Sequence, residues 1–258
     1  MSPITAADVA KLRAITGVSM MACKEALDEA QGDQEKAIEI LRKRGIAQAV
    51  KKADRTQNEG ALFVAQSEDK AALISLKCET DFVARNPEFV ALGDSVAKML
   101  LDKGMDATKT ATEKQMPEFV QKLGENITLG EMQEVSAPAV GSYVHSNRKI
   151  AVIIGLNQSG TSAIAKDVAM HAAAMNPSYV YPEDVPADVL EKEREIWKEQ
   201  LKNEKKPEAI LEKIMLGKEK KFREENALVK QPFVKDQNIA VEKHLNGAKV
   251  ESYVRVVI

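Results

Sequence analysis

The feature that most constrains the fold of this chain is a weak internal repeat, in which the order strand, turn, strand, helix occurs twice. Residues 60–65 (GALFVA) lead to a polar turn near Asp69 and Lys70, a second apolar run at 71–78 (AALISLKC), and a helix that opens at Asn86 and Pro87 and carries Phe89, Val90, Val96 and Leu100. Residues 141–145 (GSYVH) repeat the order through a turn at Ser146, Asn147 and Arg148, a strand from Ile150 to Leu156, and a helix from Thr161 or Ser162 to Met175. Ile74, Leu76 and Cys78 alternate with period two, as do Ile150, Val152, Ile154 and Leu156. Such alternation predicts antiparallel hairpins with one face packed on the helix that follows. The fold class is therefore α+β, with two related antiparallel-sheet-plus-helix core subdomains, and not a doubly wound parallel sheet. A last alternating run, Val250, Ser252, Val254, Val256 and Ile258, has the pattern of a strand that joins one of these sheets.

Ahead of the repeat the punctuation is helical. Thr5 with Asp8 forms a capping-box-like start, Ser19 can cap a second helix after Thr16, Gly17 and Val18, and Asp33 after Gly32 can cap a third that is predicted to stop at Gly45. Val9 and Leu12, then Met20, Cys23, Leu27 and Ala30, then Ala37 and Leu41 fall at helical spacing and predict a small three-helix core. From Ile46 to Glu59 the chain is polar and basic and reads as a linker. After the second repeat, residues 191–203 and 207–222 predict two charged helices joined by a turn at Lys205, Lys206 and Pro207. Their sparse apolar residues, Leu190, Trp197 and Leu201 against Ile210, Ile214 and Phe222, make a narrow seam that favours a projecting hairpin over a pair lying flat on the core. The expected division is residues 1–54 as a three-helix domain with its linker, 55–140 as the first core subdomain, and 141–258 as the second, with the helical-hairpin insertion at about 187–223.

Charge narrows the function classes. With 37 Lys and Arg against 39 Asp and Glu, the net charge of −2 supplies no general attraction for nucleic acid, so a protein partner or a small ligand is expected. No apolar run reaches the ~18–20 residues of a membrane span, and the first residues carry no apolar leader, so the cytoplasm is the expected compartment and no membrane contact is expected. Cys23 and Cys78 stand in unrelated patterns and are read as two reduced, half-buried thiols.

The common catalytic motifs do not occur: there is no Walker phosphate loop, no dinucleotide fingerprint, no zinc-protease helix motif and no nucleophile elbow. His145, His171 and His244 are scattered, so no metal set and no cofactor are expected. One enzymatic arrangement remains, with Asp81 and His145 meeting across the repeats as a base and its orienter. The loop at 78–87 has two readings of its own. Asp81 could cap a helical turn while Phe82 returns to the core, or both could face a partner as an aromatic wedge beside a charge.

Residues 80–86 (TDFVARN) resemble the signature of the elongation factor Ts family, and so does the pattern from Leu12 to Leu27 with Thr16, Gly17, Met20, Met21, Cys23 and Lys24. The stretches at Gly124 to Ile127, Gly141 to His145, His171 to Ala174 and Gln231 to Val234 follow in the family's order, so the similarity runs along essentially the whole chain. Glu79 departs from it, standing where some members carry an amide, which would retune the charge beside Asp81. The resemblance implies a three-helix domain similar to ubiquitin-associated (UBA) domains, a coiled-coil insertion, and a guanine nucleotide exchange factor that binds elongation factor Tu in its GDP-bound and nucleotide-free states. It implies that Lys24 docks on the GTPase domain. Thr80, Asp81, Phe82 and Val83 would enter near the Mg²⁺ and phosphate site, with Gly124, His145 and Val234 as further contacts. Catalytic residues are not implied, and a homodimer or heterotetramer is left open. The alternative function is a UBA-like adaptor without exchange activity.

Overall fold

The computed structural model describes residues 4–202 and 207–258. The N-terminal unit consists of α1 (Ala6–Thr16), α2 (Met20–Glu29) and α3 (Gln34–Lys52). Each begins where a side-chain oxygen satisfies an otherwise unpaired amide: Thr5 and Asp8 form a reciprocal capping box, Ser19 caps α2, and Asp33 accepts from two amides of α3. Val9, Leu12, Cys23, Leu27, Ala37 and Leu41 form the module's core. Met20, expected on that face, is instead 41% exposed, and Val18 takes the inward place.

The third helix does not stop at Gly45. It continues for two more turns to Lys52, because Gly45 is a packing residue: an added Cβ there would lie 2.9 Å from Gln121 Oε1 and 3.2 Å from the Pro117 carbonyl. Ala49, in the stretch expected to be linker, packs against the core of the next unit, and only residues 53–58 join the two.

The first repeat contains β1 (Glu59–Gln66), β2 (Lys70–Cys78), the single turn α4 (Asp81–Ala84), α5 (Pro87–Lys103), α6 (Met105–Leu123) and β3 (Thr128–Ser136). The second contains β4 (Ala139–Val144), β5 (Ile150–Leu156) and α7 (Ser162–Met175), then the hairpin α8 (Ala187–Leu201) and α9 (Glu208–Asn226). It ends with the short β6 (Pro232–Phe233) and β7 (Asp236–Ala240), α10 (Val241–His244) and β8 (Val250–Val257). Both three-stranded sheets are antiparallel with the second strand of the hairpin in the middle, in the orders β1-β2-β3 and β4-β5-β8. The C-terminal strand therefore joins the second sheet, and β3 takes the corresponding place in the first.

The alternating residues do face the helices. Phe63, Ile74 and Leu76 pack on Phe89, Leu92 and Val96 of α5, and Val152, Ile154 and Leu156 pack on Ala165, Val168 and Ala169 of α7. The opposite faces, however, are not solvated. Leu62, Leu73 and Val135 of the first sheet meet Val140, Ala151, Ile153 and Val256 of the second, so the core is four layers, helix, sheet, sheet, helix. The near-continuous apolar runs at 71–76 and 151–154 are the sequence mark of strands buried on both faces.

The charged hairpin is stabilised mainly by itself. Trp197 and Phe222 meet edge to face at 5.8 Å, Leu190 and Leu201 are buried in the same seam, and Glu219 bridges Arg194 and Arg223. None of these apolar residues belongs to the four core clusters. The turn proposed at Lys205 and Lys206, with Asn203, falls outside the described residues. Replacing residues 192–221 by a short Gly/Ser turn is therefore expected to shift the melting of the remaining core by only a few degrees. A large fall in melting temperature would mean that the hairpin carries core stability.

Candidate functional site

At the end of β2 the chain leaves the sheet and makes one helical turn. Thr80, not Asp81, is its cap, with its hydroxyl accepting from the Val83 amide, while Asp81 is the first helical residue and pairs with Arg85 at 3.1 Å. Val83 and Ala84 point into the core of the first repeat, and the ~100° step per residue turns Phe82 the other way. Phe82 is 83% exposed, the most exposed large apolar side chain among the described residues. Leaving a Phe in water forgoes about 1.5–3 kcal/mol of burial. The core reading of Phe82 is thus overturned, and of the four residues at 80–83 Val83 is the one whose side chain supports the turn from inside.

Glu79 does not lie free beside Asp81. Its carboxylate accepts the Asn126 amide at 2.7 Å and pairs with Arg55 at 3.5 Å, so its charge is directed to the other side of the loop. Cys78, fully buried rather than half-buried, has its thiol pushed up to about 12 by burial and the nearby Glu125 carboxylate, which makes it inert. Cys23 is likewise buried and unpaired.

The second repeat approaches the same place through its β4–β5 turn. The Leu62 amide of β1 donates to the Arg148 carbonyl at 2.8 Å, Arg148 lies 4.9 Å over the Phe63 ring, and Lys149 pairs with Glu59. Asp81, Arg85, Asn147, Arg148 and Lys149 consequently line one cavity of about 620 Å³. His145, at the start of that turn, is exposed and shares a hydrogen bond of 3.1 Å with the Tyr143 hydroxyl. Among the described residues no hydrogen bond joins Asp81 to His145, so the base-and-orienter arrangement is not formed. His145 instead shares a shallow apolar groove of about 420 Å³ with Val234, floored by Tyr143, Met170 and Ala173. Gly124 is the exposed left-handed residue that ends α6, with φ of 77°. Lys24 stands apart on the surface of α2, near the exposed Met20 and Met21. Among the described residues no group of three or more metal-ligating side chains converges.

Val234 owes its place to a buried histidine that the motif alone did not explain. His171 Nδ1 accepts the Val234 amide at 3.1 Å, and Nε2 lies 3.0 Å from Gln231 Oε1, which assigns the proton to Nε2 in the neutral ring. Burial lowers the pKa of His171, opposed by the bond to Gln231. A proton on Nδ1 would face the Val234 N–H, donor against donor. Because the folded pKa is depressed, the stabilising contribution is present above the unfolded value of about 6.5 and is lost as pH falls below it through the folded value. Hydrogen exchange at the Val234 amide, followed as pH falls from 7.5 in a His244→Gln background to silence the imidazole stacked on Phe233, is expected to lose protection ahead of the second sheet as His171 takes up its proton. Protection at Val234 that persists until the whole chain unfolds in acid would refute this coupling.

Comparison with known proteins finds relatives along nearly the whole chain. Residues 79–258 match the family model described as elongation factor TS. The chain is 45% identical to the elongation factor Ts of Marinobacter nauticus over 99% of its own length and 91% of that protein, and 45% identical to that of Teredinibacter turnerae over 98% and 89%. It is 42% identical to the elongation factor Ts of Christiangramia forsetii, with both chains covered completely. These matches, over an α+β chain, define a translation elongation factor. Within that class, the chain belongs to the elongation factor Ts family.

Proposed function

We propose that this protein acts in the cytoplasm as a guanine nucleotide exchange factor, binding elongation factor Tu and promoting GDP release without catalytic chemistry of its own. The observation that carries the reading is the 83% exposure of Phe82 on a turn whose neighbours Val83 and Ala84 are anchored in the core. An aromatic held outward on a rigid support is suited to enter a partner's cleft, because little ordering entropy remains to be lost on binding. Asp81 beside it would disturb the partner's Mg²⁺ and phosphate contacts. Lys24 of the 1–54 module, Gly124, and the groove of His145 and Val234 would spread the contact over the rest of the surface.

The physical basis is linkage: a protein that binds the nucleotide-free GTPase better than the GDP form must weaken GDP by the same factor. A 10⁴-fold weakening needs about 5.5 kcal/mol of differential binding, whereas burying one Phe supplies only about 1.5–3 kcal/mol. The wedge therefore needs the wider surface, of the order of ~1,000 Å² or more. The deciding measurement is release of a fluorescent GDP analogue from elongation factor Tu with and without this protein. Acceleration at catalytic amounts supports the reading, and an unchanged rate despite binding would refute it. The adaptor reading is favoured by one observation, the exposed Ile15, Met20, Met21, Ile46 and Val50 of the three-helix unit. That reading predicts binding through residues 1–54 with no change in GDP release.

A further inference from the structure

The turn that displays Phe82 is held from behind by a carboxylate that comes from a different part of the chain. Glu125 Oε2 accepts the amides of Glu79 at 2.9 Å and Thr80 at 3.0 Å, and its Oε1 accepts the Thr80 hydroxyl. That hydroxyl in turn accepts the Val83 amide at 3.4 Å, so Glu125 closes a short relay onto α4 itself. Three donors converging on one carboxylate is an arrangement that only a side chain with two acceptor oxygens can satisfy.

The neighbours of Glu125 reach in the opposite direction. The buried Asn126 side chain donates to the carbonyls of Ala53 and Arg55, each at 3.1 Å, and Gln57 donates to the Asn126 carbonyl at 3.0 Å. Lys52, the last residue of α3, donates to the Gly124 carbonyl. The segment 124–126 therefore grips the end of the helical module with one set of bonds and the Phe82 turn with the other.

We propose that Glu125 is the positioning residue of the exchange site, fixing the orientation of Phe82 and tying it, through Asn126, to the end of α3. The inference rests on the exchange reading given above. Glu125 touches neither nucleotide nor metal in this scheme. It acts through Thr80, and its removal acts on how Phe82 is presented rather than on how the protein docks.

The experiment has one readout that is independent of exchange. Phe82→Trp in a Trp197→Phe background places the only tryptophan on the turn, since Trp197 is the sole native one. Adding Glu125→Gln removes the charge and one of the two acceptor oxygens at constant size, so the side chain can no longer accept from both the two amides and the Thr80 hydroxyl. The expected result is a drop in the anisotropy of the fluorescence at position 82 in the free protein, with the circular dichroism melt retained. In chains with native Phe82 and Trp197, Glu125→Gln is expected to lower the maximal rate of GDP-analogue release from elongation factor Tu about tenfold, with the half-saturating concentration moved by less than about threefold. Unchanged anisotropy overturns the proposal. So does a wild-type maximal rate in Glu125→Gln under conditions where Phe82→Ala is slow. If the unmodified chain does not accelerate release, the exchange reading fails, and if Phe82→Ala exchanges normally, only the wedge fails; in both cases the anisotropy still decides whether Glu125 holds the turn. Should Glu125→Gln not fold, Glu125→Asp keeps both acceptor oxygens and leaves the Thr80 cap of α4 intact but withdraws the carboxylate by one methylene. A lowered anisotropy at position 82 in that variant supports the clamp, and anisotropy equal to that of the Phe82→Trp, Trp197→Phe parent overturns it.

Discussion

Phe82→Ala is expected to leave the melting temperature nearly unmoved while weakening the interaction with elongation factor Tu by about 1–3 kcal/mol, roughly 5-fold to 150-fold, and slowing GDP release accordingly. Truncating a buried Phe would instead cost about 3–5 kcal/mol of folding free energy, and exchange would be lost only as the protein unfolded. The 83% exposure of Phe82 places it on the first branch. The two results differ in which assay changes, so circular dichroism melting and nucleotide release on the same sample separate them. Asp81→Asn examines the charge alone. Its ion pair with Arg85 joins side chains 46% and 81% exposed and is worth only about 0–1 kcal/mol, so stability should again hold. Normal exchange in both variants, with folding intact, would remove the wedge from the mechanism.

The largest effect on stability is expected at Gly141. A Cβ built there lies 2.1 Å from the Lys166 amide nitrogen and 2.4 Å from the Ala165 carbonyl carbon. Helix α7 lies directly on β4 at this point, and the obstruction is backbone, which cannot rotate away as a side-chain end can. Gly141→Ala should therefore cost about 3 kcal/mol or more, lowering the melting temperature by roughly 6–12 °C in a chain of this size. Gly217 in α9 is the contrast, with nothing within 4 Å of its added Cβ. Gly217→Ala should stabilise the hairpin slightly, by up to about 1 kcal/mol, because alanine is the better helix former. Equal melting of the two variants would show that α7 can shift away from β4 at little cost.

Local chemistry set a large part of this structure. The caps at Thr5, Ser19, Asp33 and Asn86, the period-two runs of both hairpins, the Pro87 start of α5 and the alternation of the last strand each depend on neighbours a few residues away, and each is legible without the fold. The motif at 80–86 was legible too, and so was its setting between a strand and a helix. What could not be read was decided by contacts between distant segments. Gly45 looks like a stop because glycine is a poor helix residue, yet a closely approaching α6 turns the missing side chain into the reason the helix can pass. Helix α6 carries Pro117 and threonines, which are poor helix formers, and β3 pairs with β2 through a register shift between Ile74 and Leu76 that no local pattern encodes.

The site divides in the same way. The resemblance to the elongation factor Ts family pointed to Lys24, the residues at 80–83, Gly124, His145 and Val234. It did not tell which of them face solvent: Phe82 and Val83 are adjacent, both apolar, and point in opposite directions because only one side of α4 meets the first sheet. Nor could it find the supports, Glu125 behind Thr80 and His171 behind Val234, which act across 45 and 63 residues of chain. Composition and periodicity carry the hydrophobic preference of each segment, since that preference is a property of the segment. The direction of a single exposed side chain is a property of what occupies the space on its other side, and only the packing of the two sheets, their helices and the α3 end against one another fixes that.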